Sequence, residues 1–167
     1  LLAAQVEEIP AQAFGGLEGD QVGALPATAM RGLEPGQLRA MQPRALGAMS
    51  AQQLRQVPAE TVAGMKPDQV TALSREVLGA MKPSQAAELS QRAVGALEKA
   101  QIAALAPAAV GELSAGQISA IDPAAVAGID ADQIEEIPTE LIAAITPEQV
   151  AELQPETLAG LTDDQLG

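Results

Sequence analysis

The 167-residue chain has no Cys, His, Trp or Tyr, a single aromatic residue (Phe14), and a formal net charge of −13. Lack of Cys excludes a disulfide framework and a thiolate metal site, and lack of His removes the commonest metal ligand and the commonest general base at neutral pH. No apolar run approaches the ~18 uncharged residues of a membrane span, and the acidic balance opposes binding to nucleic acid or anionic lipid.

The first octad, Leu1–Glu8, sets a pattern that the rest of the chain repeats. Every eighth residue from Leu1 is apolar: Ile9, Leu17, Leu25, Leu33, Met41, Met49, Val57, Met65, and so on to Leu161. A second apolar series follows five residues behind, through Val6, Phe14, Val22, Met30, Leu38 and Leu46 to Leu166, with Ala86 its weakest member. Spacings of five and three do not give strand alternation, and the chain is rich in Ala, Gln, Glu and Pro rather than β-branched residues. Each octad therefore predicts one helix of about six residues. Charge changes along the array: residues 1–30 carry −4, residues 31–99 hold all nine basic residues and sum to +3, and residues 100–167 carry −12.

Two kinds of octad alternate. Gln stands at every sixteenth position, as Gln5, Gln21, Gln37, Gln53, Gln69, Gln85, Gln101, Gln117, Gln133, Gln149 and Gln165. The octads between them carry Gly or Ala just before the closing apolar residue, for example Gly32, Gly47, Gly64, Gly95, Gly128 and Ala143-Ala144. In Ile145–Leu153, Thr146 is a natural N-cap, Pro147 sits at N1 and Gln149 at N3 completes a capping box. Ile145 and Val150 are placed as a hydrophobic staple. Ser50, Ser114, Asp130 and Thr162 repeat the cap, each with Gln three residues later. All twelve prolines fall at the cap or the residue after it, where the chain has to bend. Glycine near the far end is expected to let one helix stop and the next approach.

Helices this short are unstable alone, because isolated helices need ~12–15 residues even to be marginal. Stability has to come from stacking, so the predicted fold is an all-α solenoid of very short helices. Two helices per sixteen-residue coil, at ~8–10 Å per layer, predict an elongated rod on the order of 100 Å.

Patterns that carry chemistry are sparse. Glu7-Glu8, Glu135-Glu136 and Asp163-Asp164 lack the alternating acidic ladder of a calcium loop, and Asp130 is already explained as a cap. The serines are caps with no base available. No catalytic, cofactor-binding or metal-ligating residue is expected, and no cofactor; the chain reads as a non-enzyme. The Met residues lie on the apolar series and read as core. The Gln column reads as structural, combining N3 capping with hydrogen bonds to a neighbouring coil. Arg39 and Arg55, at equivalent positions of consecutive units, form the candidate docking patch.

The strings Ile145-Thr146-Pro147-Glu148-Gln149-Val150 and Met65-Lys66-Pro67-Asp68-Gln69-Val70 look like the start of transcription-activator-like effector repeats. Those units are about twice as long and have a basic surface, so the likeness ends at the cap. The octad pair Pro58–Met65 and Lys66–Leu73 is similar to the repeating unit of tandem arrays in very large bacterial proteins, often secreted or surface-exposed. Those read as Pro-x-x-apolar-x-Gly-apolar, then Thr-x-x-Gln-apolar-x-x-apolar, with Phe at many places where this chain has Leu or Met. The resemblance covers the whole chain. It implies an extended structural or adhesive segment, extracellular or at the cell surface, with the cytoplasm left open and no catalytic residue to carry over. Residues 1–167 read as one array of about ten units with no polar capping repeats, which predicts a segment of a longer array. Two readings of function follow: a structural spacer or fibre-forming rod, and an α-solenoid scaffold that docks a protein on a lateral face. The partners expected are neighbouring repeats, with a protein partner or self-association left open, and neither nucleic acid nor membrane insertion.

Overall fold

The computed structural model describes residues 2–167, so Leu1, the first member of the leading apolar series, lies outside the described residues. Among them the backbone forms twenty α-helices and one 3-10 helix (Ala27–Gly32), each of four to six residues, and no strand. Sequence dictates where each begins. Thr146 takes an extended N-cap conformation (φ −75°, ψ 157°), its side chain accepts from the Gln149 N–H, and Pro147 opens the helix. Ser50, Ser114, Asp130 and Thr162 cap in the same way. Helix ends before the last one do not use left-handed glycine. Gly167 (φ 89°) is the only described residue with positive φ.

Glycine serves the close approach of backbones instead. A Cβ on Gly64 would lie 2.6 Å from the Pro35 carbonyl oxygen, in the turn before. One on Gly95 would lie 2.5 Å from the Ala120 oxygen, in the turn after. The octad that has Ala143-Ala144 instead of glycine contains a helix, Thr139–Ile142, with no fully buried residue.

Nearly every helix stacks on the third one along the chain. Pro35–Ala40 packs on Ala59–Val62, Pro67–Thr71 on Gln91–Val94, and Pro83–Ala87 on Pro107–Gly111. Close contacts between turns join residues 25 to 31 apart. A turn of the solenoid therefore holds three to four helices, which corrects the two-helix coil inferred from the sixteen-residue unit. The reason lies in the connections. Met41 (ψ 144°) and Gln42 (ψ 141°), which join Pro35–Ala40 to Pro43–Leu46, are both extended. Two extended residues turn a corner, whereas folding a helix back on its predecessor would need a reversing loop. The chain completes about six turns, and at ~8–10 Å per layer the stack is roughly 50–60 Å long. It is shorter and thicker than the rod expected from two-helix coils. Its accessible surface, 8034 Å², is close to the roughly 7,700 Å² of a globular monomer of the same mass.

Both apolar series point inward and are buried from Leu33 to Ile137. A third buried column, Ala29, Ala45, Thr61, Val77, Ala93, Ala109 and Ala125, falls eight residues after each Gln from Gln21 to Gln117. These small side chains admit the neighbouring turn. The space among Val110, Leu113, Ile118, Ile121 and Val126 is about 10 Å³, at or below what one water needs, so this stretch of the axis is packed core rather than a channel. In the last turn, on whose outer face no turn is stacked, Val150 is 46 % and Leu166 66 % exposed. The expected staple partner of Ile145 thus faces largely outward.

Candidate functional site

The Gln column becomes the most regular buried polar feature of the fold. Gln53, Gln69, Gln85, Gln117, Gln133 and Gln149 are each no more than 2 % exposed. At N3 of its helix, each amide oxygen accepts from the N-cap N–H, at 2.8 Å for Ser50 to Gln53 and for Lys66 to Gln69. The amide nitrogen donates to two carbonyls of an earlier turn. Gln69 reaches Met41 at 2.7 Å and Leu38 at 2.9 Å; Gln149 reaches Ile121 at 2.7 Å and Ile118 at 2.8 Å. A single amide caps the start of one helix and the end of another, satisfying groups that short helices leave unpaired. Its acceptors lie 28 and 31 residues back, about four octads, rather than in the adjacent sixteen-residue unit. Gln5 and Gln21, with no turn beneath them, are exposed and keep only the capping bond.

Two threonines of the third column join this ladder. Thr61 donates to the Leu33 carbonyl and Thr157 to the Ile129 carbonyl, each at 2.6 Å and each 28 residues back. Sequence reasoning passed over them. Their signal was present in the octad position that holds Gln in one repeat type and a small residue in the other.

Arg39 and Arg55 are both exposed, but they do not sit one above the other. Arg39 is on Pro35–Ala40, which stacks on Ala59–Val62; Arg55 is on Ala51–Gln56, which stacks on Arg75–Gly79 and the 3-10 helix. Sixteen residues are just over half of a 25–31-residue turn, so the two arginines lie on different sides of the solenoid. The ion pair found among the described residues is Arg44 to Glu18, 2.8 Å long and 26 residues apart.

Open grooves run between turns. Arg75, Glu76, Glu98 and Lys99 line one over a floor of Ala100, Ala103 and Ala104. Glu7, Arg31, Glu34 and Glu60 line another beside Pro35 and Pro58. These charged groups are all exposed. No group of three acidic side chains among the described residues is arranged to hold a metal ion. No described helix is long and apolar enough to cross a membrane. No family model matches the chain, and no curated protein matches it.

Proposed function

We propose that this chain is a non-catalytic structural segment, a spacer or fibre-forming stretch within a large bacterial surface or filament protein. The observation that carries the reading is the short reach of its cross-links. Side-chain bonds between turns span no more than 31 residues among those described, so each turn is held by its immediate neighbours. An array of this kind lengthens by adding units without redesign of a shared core, which suits a part whose task is distance. The likeness to repeats of large bacterial surface proteins supports the setting. A scaffold that docks protein laterally is the second reading, favoured by the charged grooves between turns.

The chain contains no Cys, so labels can be placed at exposed Gln12→Cys and Glu156→Cys for distance measurement by pulsed spin resonance. A spacer gives one narrow distribution that lengthens by ~5 Å for each duplicated sixteen-residue unit, from ~8–10 Å per turn. A broad distribution, or a length indifferent to unit number, would overturn the reading.

A further inference from the structure

The turn length decides which charges stand above one another. Gln69 accepts from the Lys66 N–H at 2.8 Å and donates to the carbonyls of Leu38, Arg39 and Met41 at 2.9, 3.3 and 2.7 Å. The Gln69 amide therefore ties the Lys66 backbone to that of Arg39 in the turn before. Arg92 lies 26 residues beyond Lys66, on the helix Gln91–Val94 that packs against Pro67–Thr71. The same two repeat positions elsewhere hold Glu18 and Arg44, whose side chains meet at 2.8 Å. Arg39, Lys66 and Arg92 thus form a three-rung basic column on consecutive turns, all exposed.

An acidic column occupies the same three repeat positions elsewhere. Gln37 accepts from the Glu34 N–H and donates to the carbonyls of Val6 and Ile9, which sets Glu34 over Glu7. Glu60 follows 26 residues after Glu34, and all three carboxylates line one groove. Arg31 shares that groove but donates to Gln56 at 2.6 Å, and it forms no ion pair with the three. Stacked like charges give the fold nothing, and Lys66 at an N-cap also opposes the helix dipole. A partner of opposite charge relieves both columns.

We propose that the basic column docks laterally on the acidic column of a second copy of this chain. Because both columns use the same repeat positions, their rungs match: Arg39 meets Glu7, Lys66 meets Glu34 and Arg92 meets Glu60. Each pair is offset by 32 residues, two sequence units, so the copies lie parallel and staggered by just over one turn. Every copy carries both columns, and a heterologous contact of this kind propagates into bundles unless it closes into a ring. This goes beyond the spacer reading by naming its partner, and the length measurement above and the association test below fail separately.

The test is sedimentation velocity of the full chain across a concentration series in 20 mM and 500 mM NaCl. Wild type associates at low salt, and its apparent affinity falls at least tenfold at high salt, as screened charge pairs require. The triple variant Arg39→Glu, Lys66→Glu, Arg92→Glu stays monomeric, as does Glu7→Lys, Glu34→Lys, Glu60→Lys, and an equimolar mixture of the two regains association. At the N-cap and Gly-octad N2 positions, both signs already occur in the array at Glu18, Lys82, Arg44 and Glu76, so folding should survive, which circular dichroism checks. A wild type that is monomeric in 20 mM NaCl, association that persists in either triple variant alone, or a mixture that stays monomeric would each sink the proposal.

Discussion

At the residue scale, the joints between turns rest on one side chain used repeatedly. Gln69 makes bonds that no smaller residue can replace, because its oxygen serves its own N-cap while its nitrogen serves carbonyls a turn away. Gln69→Ala leaves buried polar groups unpaired in two turns and is expected to cost on the order of 3 kcal/mol. Gln21→Ala removes an exposed capping bond alone and is expected to cost below ~1 kcal/mol. Urea denaturation of the two variants measures the gap, and equal costs would mean that the amide acts only as a cap. The capping half of this role was legible in the sequence, from the offset of Gln149 to Thr146. The bonding half was not. A linear period shows that a contact recurs, and the path of the chain in space decides with what.

At the scale of the element, the alternation of Gln-type and Gly-type octads gains a purpose. The helix three places along is of the other type, so the Gln-type helix Pro83–Ala87 meets the Gly-type helix Pro107–Gly111. The helix four places along is of the same type, and there the Gln amide of one meets the carboxyl end of the other. Deleting residues 82–97, a whole unit, preserves both relations. Deleting residues 90–97, one octad, breaks both along the turn that spans the junction. Thermal melts followed by circular dichroism should show at least twice the loss in Tm for the eight-residue deletion, despite its smaller size. Equal or reversed losses would show that the octad types are interchangeable. That each octad makes one short helix, and which residues cap it, could be read in advance, because capping chemistry is local; that most helices stop at four or five residues rather than six could not.

At the scale of the whole molecule, a stack held by nearest-turn contacts opens from its loosest places. Residues from Leu38 to Ile129 lie between turns on both sides and contain most of the fully buried side chains. Thr139–Ile142 and Asp163–Leu166 contain no fully buried residue. Amide hydrogen exchange should therefore be slowest in the central turns and become faster toward residues 139–166, with opening free energies graded rather than uniform. Uniform protection along the chain would mean that the turns unfold as one unit, contrary to the quasi-one-dimensional picture.

The sequence by itself determined that the chain forms very short helices, where each begins, and which two apolar series make the core. Those properties depend on residues within one octad of each other, and a strict period states them many times over. Only the tertiary structure decided how many helices close a turn, because that number depends on how the chain turns at each connection between helices, extended at Met41 and Gln42 but helical at Gly47 and Ala72. The turn and the sixteen-residue unit are not equal in length. Residues equivalent in sequence, Arg39 and Arg55, are therefore carried to different sides, while the backbones of Arg39 and Lys66, unrelated in the repeat, are joined through the Gln69 amide.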